Sequence, residues 1–467
     1  MVFTSHVFIF YFLPVVLLIY YLLPAARRNA FLLLASYAFY GWWQPWFMLL
    51  MLAATVINYL CGRVIASSRQ DRGRAKAALV ISVVADLGLL GFFKYCTFVE
   101  ENLSRLGAFF GVEALPVLQI ALPVGISFYL FKSLSYTIDV YRETSPPARS
   151  FFDFACFVSL FPQIMAGPII RYHMIADQLV ERTYTLDRFS SGVALFVLGF
   201  AKKVLLANTV APLADAVFAT EAPHAIDAWF GAAAYAFQLF FDFSGYSDMA
   251  IGLCMMLGFE TPRNFDAPYR AESITDFWRR WHISLSSFLR DYLYIPLGGN
   301  RKGLLRTYVN LIATMLLGGL WHGANWTFVF WGGFHGVLLA FERSLGKNSV
   351  YSRLPKPLRI ALTFALILVS WVFFRSDSLA GALHYLGAMF GAHGVSGGSI
   401  LLAGELYTFG NLAQMALCAV LVFQPYQALD WVKSLNWTKA ALVMILFCLA
   451  VMTMFTQSFT TFLYFKF

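Results

Sequence analysis

His322 stands in the string Gly318-Gly319-Leu320-Trp321-His322-Gly323-Ala324-Asn325, in the middle of an apolar run. An imidazole titrates near neutral pH and can take a proton from a hydroxyl. The string could therefore hold a general base or, less readily, an acyl-accepting nucleophile. The competing reading is a histidine that hydrogen-bonds two membrane helices together. Ionisable residues at membrane depth point to function by default, and Gly318, Gly319 and Gly323 would leave room beside the ring for a substrate chain.

His282 is the second candidate, in Phe277-Trp278-Arg279-Arg280-Trp281-His282-Ile283-Ser284-Leu285-Ser286. This mixture of aromatic and basic residues suits an amphipathic element at a membrane interface. Arg279, Arg280, Arg290 and the turn Gly298-Gly299-Asn300-Arg301-Lys302 offer guanidinium forks and backbone N–H groups to phosphates. A phosphorylated carrier or an anionic lipid headgroup would satisfy them equally. Asp242 and Asp248 form a third constellation, two carboxylates within one apolar segment. Six residues apart, they fall on different faces of a helix unless Gly245 breaks it. They could shape a reaction chamber, order a basic partner or cap a broken helix. His335 reads as packing, and His6, His173, His224, His384 and His393 carry no assigned role.

The elements that position these residues follow from composition. The chain has 467 residues, 60% hydrophobic, 18% aromatic and 13% charged. A soluble domain carries about 25% charge, so this is an integral membrane protein. The net charge of +9 does not indicate nucleic acid, because the basic residues sit in short loops between apolar runs, as cytoplasmic loops do. Cys61, Cys96, Cys156, Cys254, Cys418 and Cys448 lie singly in apolar stretches, with neither CxxC nor metal-ligand spacing, and read as buried, inert thiols.

A spanning helix needs ~20 mostly apolar residues. Candidates fall near 7–23, 30–44, 46–61, 77–95, 117–141, 190–207, 228–258, 359–375, 411–424 and 438–456. The first lacks a basic stretch before it and reads as uncleaved, entering with its N-terminus outside. The loop 62–76, with Arg63, Arg69, Arg72, Arg74 and Lys76, is expected in the cytoplasm. So is 342–359, with Arg343, Lys347, Arg353, Lys356 and Arg359. The loops 97–114 (Glu100, Glu101, Glu113) and 208–227 are expected outside, and 386–399 reads as a mobile external loop.

Two runs have basic residues at both ends. The run 151–170 contains Pro162-Gln163-Ile164-Met165-Ala166-Gly167-Pro168 and fits a re-entrant or in-plane piece. The run 307–341 is expected to form two half-length helices that dip into the membrane and return, with His322 near the apex. Irregular backbone at that depth needs surrounding protein or a water-filled cavity. The expected fold is thus all-α and polytopic, with about ten spanning helices and re-entrant or in-plane helices around a central chamber. We read residues 1–467 as a single integral membrane domain, with 376–467 as C-terminal helices. No internal repeat of the kind found in transporters is evident.

The strings around His322 and His282, with Leu122-Pro123-Val124-Gly125-Ile126-Ser127-Phe128-Tyr129, Phe161-Pro162-Gln163, Ala166-Gly167-Pro168 and Asp242-Phe243-Ser244-Gly245-Tyr246-Ser247-Asp248-Met249-Ala250, closely resemble the membrane-bound O-acyltransferase family. The resemblance covers roughly residues 1–375, and it points to the bacterial branch that O-acetylates exopolysaccharides such as alginate or cellulose. It implies that His322 occupies the catalytic histidine position and His282 a second conserved polar position. It further implies acetyl-CoA as a cytoplasmic donor, with no permanently bound cofactor and no metal. The expected setting is the bacterial inner membrane, with a periplasmic acetyltransferase partner, a polysaccharide synthase or secretion complex, and membrane lipids around the protein.

Physical reasoning is compatible with that implication. Coenzyme A is too charged to enter hydrocarbon, so its phosphates would stay with Arg279, Arg280, Arg290, Arg301 and Lys302 while the acetyl-bearing thiol reached His322. Trp321, Asp242 and Asp248 would support the chamber, and Asn325, His282 or backbone N–H groups would stabilise the oxyanion. Two rival readings use the same residues: a proton-coupled transporter or flippase of a lipid-linked sugar, and D-alanyl transfer to teichoic acid.

Overall fold

The computed structural model describes residues 1–111, 118, 120–165, 167–346, 353–392, 398–457, 462 and 463, without the side chains of 398–401. Glu113, Ala166, Lys347, His393 and the centre of the stretch 386–399 lie outside the described residues. Among the described residues the secondary structure is entirely helical. A helix satisfies its backbone N–H and C=O groups internally, as a chain of this composition requires in hydrocarbon. Among the described residues six helices are long and apolar enough to cross a membrane: Trp46–Ser67, Arg72–Phe109, Leu186–Ala219, Leu304–His322, Lys356–Arg375 and Trp437–Thr456. Shorter apolar helices cover Phe8–Leu22, Phe151–Gln163, Leu379–Met389 and Phe409–Val422. The chain is a multi-pass membrane protein.

Helices run through two stretches expected as external loops. Residues Cys96–Phe109 continue the helix that starts at Arg72, and Asn208–Ala219 continue the one that starts at Leu186. Loop charge reports where a chain is wet, and a helix does not have to stop at that boundary. Both long helices pass through a π-helical turn, at Gly91–Tyr95 and at Lys202–Ala207. The expectation over 386–399 also shifts, since the helix Leu379–Met389 extends into it.

The chain packs as two compact units, Met1–Val193 with Met249–Pro262, and Ala194–Asp248 with Arg263–Phe467. In the first, the helix Trp46–Ser67 packs against Arg72–Leu90 and Ile126–Tyr141. Polar side chains join these three helices: Asn58 Nδ2 donates to Asp86 Oδ1 at 2.8 Å, and Ser82 Oγ reaches Asn58 Oδ1 at 2.6 Å and Thr137 Oγ1 at 2.9 Å. The expected re-entrant piece is a helix of nine residues, Phe151–Ser159, followed by a single turn at Phe161–Gln163. Nine residues reach only about 14 Å, short of a crossing.

In the second unit the run 307–341 departs from expectation. It is a hairpin of two full-length helices, Leu304–His322 and Trp326–Leu345, joined by Gly323, Ala324 and Asn325. At 1.5 Å per residue each helix is about 28–30 Å long, so neither is a half-helix. The glycines near its middle join the helices rather than break them. A Cβ on Gly319 would stand 2.2 Å from the Phe328 carbonyl oxygen, and one on Gly332 2.3 Å from that of Met315. Bare backbones meet along this seam, as small residues permit between membrane helices. The first helix stops only at Gly323. Asn325 then caps the second, its side-chain oxygen accepting from Thr327 N at 3.1 Å.

This seam makes a contrast within one helix. Gly319→Ala or Gly332→Ala should each lower the thermal unfolding midpoint in detergent, at a cost of about 1–3 kcal/mol for overpacking. Gly333→Ala, whose Cβ would sit 3.4 Å from Leu316, should leave the midpoint unchanged.

Candidate functional site

His322 ends its helix with only 4% of its surface exposed. Its ring stands edge-on to three aromatic rings, Trp321 at 5.0 Å, Trp331 at 5.1 Å and Phe374 at 5.2 Å between centroids. Trp331 comes from the second helix of the hairpin, one turn and a half past its start. Phe374 and Trp371 come from the last turns of Lys356–Arg375. Trp371 is almost fully buried, and its indole N–H donates to Tyr269 Oη at 3.1 Å, which in turn donates to the Ala236 carbonyl at 2.9 Å. The polar tips of these two large side chains are thus satisfied, as buried aromatics require.

Inside this aromatic wall lies a cavity of about 10 Å³, the space of one water molecule. Leu239, Asp242, Phe243, Trp281, Phe462 and Leu463 complete its lining. Among the described residues the titratable groups that face it are His322 and Asp242. The glycines expected to leave room for a substrate chain do not do so. Gly319 is filled by the hairpin seam, Gly323 lies against the Phe328 ring and Gly318 against Leu289.

Asp242 and Asp248 lie on one unbroken helix, Ala225–Met256, and each pairs with a lysine of the neighbouring π-helical turn. Lys203 Nζ meets Asp242 Oδ1, and Lys202 Nζ meets Asp248 Oδ2 at 2.7 Å. Gly245 does not break the helix. A Cβ there would come within 2.7 Å of the Gly199 carbonyl oxygen, so its absence lets the two helices approach closely enough for both pairs. Asp242 Oδ2 also accepts from the Leu463 backbone N–H at 2.8 Å. Lys202 and Lys203 were missed in the sequence. Two lysines inside the apolar run 190–207 were the available signal, because buried cations require an anion elsewhere.

His282 does not line the His322 cavity. It is fully buried in the left-handed backbone region, φ 43°, where it precedes the short helix Ile283–Leu289. Its ring packs edge-on to Phe243 at 4.7 Å and lies 5.9 Å from Trp321. Asn264 holds it, with His282 Nδ1 at 3.2 Å from Asn264 Oδ1, which also accepts from Ser284 Oγ at 2.9 Å and from the Ser284 backbone N–H at 3.3 Å. An atom that accepts a backbone N–H is the amide oxygen, so Nδ1 carries the imidazole proton. Nε2 is then the lone-pair nitrogen, buried and without a partner among the described residues. Burial pushes its pKa down to about 3, which holds the ring neutral. His282 thus packs behind Phe243, which lines the cavity, and does not line the cavity itself.

The other expected residues separate into engaged and available groups. Asn325 is committed to its cap, and its Nδ2 donates to the Asp377 carbonyl at 3.0 Å, so it is not aimed at an oxyanion over His322. Arg280 pairs with Asp276 at 2.9 Å and Arg290 with Asp291 at 2.7 Å. Arg279, Arg301 and Lys302 are exposed. His335 packs as expected, its Nδ1 accepting from the Trp278 indole at 3.3 Å. Cys448 is exposed rather than buried.

A second, polar pocket of about 300 Å³ lies on the other side of Phe374. Asp215, Asn325, Arg375, Ser376 and Asp377 line it, together with the hairpin turn. Phe374 and Leu463 line both spaces, so these two side chains are what separates the imidazole cavity from the polar pocket. The turn lies at the end of the hairpin opposite Arg301, Lys302, Arg306 and Arg343, the end that the positive-inside rule puts away from the cytoplasm.

The fold is multi-pass and helical, and it holds one imidazole among aromatic rings beside a polar pocket. The profile of the membrane-bound O-acyltransferase family matches residues 142–376. The chain is 46% identical over 486 aligned positions to the probable alginate O-acetylase AlgI of Pseudomonas putida, covering 100% of both. It is 48% identical to the protein of that name from Pseudomonas aeruginosa, over 84% of this chain and 75% of the other. A peptidoglycan O-acetyltransferase of Helicobacter pylori is 35% identical over 92% of this chain and 89% of its own length. The chain belongs to the membrane-bound O-acyltransferase family and is an O-acyltransferase.

Two outcomes follow from the buried groups. Lys203→Met should destabilise the protein by about 3–5 kcal/mol, because it strands the Asp242 charge. Lys203→Met with Asp242→Leu should recover much of that loss in thermal unfolding. His282 contributes stability above its ordinary value of 6.5 that is lost as pH falls from 6.5 towards 3, since its folded pKa lies below its unfolded one. The pH dependence of unfolding over that window should therefore be shallower in His282→Gln than in the wild type.

Proposed function

We propose that this protein transfers an acetyl group from cytoplasmic acetyl-CoA towards O-acetylation of an exopolysaccharide, with alginate as the first candidate polymer and cellulose as the second. Its setting is the bacterial inner membrane. The whole-length likeness to probable alginate O-acetylases supports the polymer class. The observation that carries the mechanism is the placement of His322, an imidazole in a cavity whose only other titratable lining group among the described residues is a carboxylate already paired with lysine.

In this mechanism His322 acts as the general base. It takes the proton of an acceptor hydroxyl as that oxygen attacks the thioester carbonyl. The C–O ester bond forms, the C–S bond breaks, and the proton passes from the imidazolium to the departing thiolate, leaving free coenzyme A. The aromatic cage keeps water away from the thioester and lowers the local dielectric. The cavity as it stands admits one water, so the hydroxyl enters from the polar pocket only when Phe374 or Leu463 moves aside, and the thioester arm enters only when the wall facing the basic, cytoplasmic end opens. Arg279, Arg301 and Lys302 are the basic groups exposed to meet the coenzyme phosphates. The acetyl group then leaves through a periplasmic acetyltransferase partner working with the polysaccharide synthase or secretion complex.

His322→Ala should cut acetyl transfer by about 10²–10⁴-fold, as expected for loss of a general base, at wild-type protein level and unfolding midpoint. The measurement is release of free thiol from acetyl-CoA together with polymer acetylation in cells. Wild-type acetylation by a folded His322→Ala protein would remove His322 from the mechanism.

A further inference from the structure

A large apolar space in the second unit lies outside the site described above. It encloses about 710 Å³ and is walled by Leu198, Leu205, Phe241, Leu417 and Leu446, with Trp431 at one end. Its walls come from the helices Leu186–Ala219 and Trp437–Thr456, both long enough to span a membrane, and from the shorter apolar helix Phe409–Val422. The polar groups along the walls are engaged internally. Lys202 is paired with Asp248, and the Gln414 amide donates to the Leu205 carbonyl at 3.0 Å and to Thr209 Oγ1 at 2.8 Å. Nothing in the walls asks for water, and apolar cavities stay dry. At this depth the solvent available to fill the space is hydrocarbon.

The two ends of the space differ. Leu417, Leu421 and Leu442 are 38–46% exposed, so the opening is continuous with the lipid-facing surface. At the Trp431 end the lining becomes Gln424, Tyr426 and Gln427. Tyr426 and Trp437 are 76% and 92% exposed there, as aromatic side chains are at the headgroup level. The same end carries Arg263, Lys433 and Lys439 against Asp266 and Asp430. Arg263 bridges the two carboxylates, and Lys433 adds to Asp430 at 3.0 Å. Lys439 takes no carboxylate among the described residues. Its Nζ lies 4.8 Å over the Trp431 ring and donates to the Trp431 carbonyl and to Ser434 Oγ. The arrangement is an apolar slot with an aromatic collar and one surplus cation.

We propose that this slot holds an acyl chain of an anionic glycerophospholipid, with the phosphate at the Lys439 end. The lipid braces the π-helical turn Lys202–Ala207 from the side opposite the Lys203–Asp242 pair. It is a resident lipid and takes no part in acyl transfer, so the inference does not depend on the role proposed for His322.

Fluorescence of the full chain in lipid nanodiscs tests it, with the signal of Trp431 obtained as the difference between wild type and Trp431→Phe. Phosphatidylglycerol with brominated acyl chains should quench that signal at about fivefold lower mole fraction than brominated phosphatidylcholine, the preference one basic side chain confers near a headgroup. Lys439→Gln should bring the two lipids together. Ala201→Phe or Leu446→Phe, which fill the slot, should leave only the weak quenching of the bulk bilayer. Equal quenching by both lipids in the wild type, or full quenching in a folded filled variant, overturns the proposal. If neither filled variant folds, native mass spectrometry of the wild type in mild detergent decides. Retained phosphatidylglycerol supports the slot, and bare polypeptide overturns it.

Discussion

A buried lysine–carboxylate pair, Lys203 with Asp242, anchors one wall of the cavity beside His322. Both charges have left water, and each would be costly alone. Their union ties the π-helical turn at Lys202–Ala207 to the long helix Ala225–Met256. It also consumes the negative charge that would otherwise sit beside the imidazole. Asp242 is held by Lys203 and by the Leu463 backbone N–H, and His322 is the other titratable group among the described residues that line the cavity.

The aromatic wall and the glycine seam serve the same end from opposite directions. Trp321, Trp331, Trp371 and Phe374 surround the imidazole so closely that only one water fits. In the proposed mechanism that enclosure would protect a thioester from hydrolysis and bar the acceptor until Phe374 or Leu463 shifts. The wall can be this close because Gly319 and Gly332 let the two helices of the hairpin touch backbone to backbone, bringing Trp331 alongside His322. The polar pocket beyond Phe374 stays open.

His282 shows how a residue can matter to such a site without joining it. Asn264 fixes its tautomer, burial keeps it neutral, and Phe243, which lines the cavity, packs against its ring. Its neighbours Arg280 and Arg290 are likewise engaged with carboxylates close in sequence. What read as one basic, aromatic recognition string is divided by the fold into a buried brace and an exposed surface.

The linear chain was enough to determine the membrane class, most helix positions and the family, and to single out His322 as a candidate, because hydropathy, loop charge and a long motif are properties of consecutive residues. Helix length in the hairpin was not legible, since glycine pairs look the same whether they break a helix or let two helices meet. The lysine partners of Asp242 and Asp248 were hidden for a related reason: about forty residues separate each pair, and only packing at Gly245 brings them together. Tertiary structure alone decided that Asn325 is a cap, that His282 packs behind Phe243 and that the imidazole is walled by aromatic rings. Each of these depends on which side chains meet across helices, and that is set by the directions in which helices carry them rather than by their order along the chain.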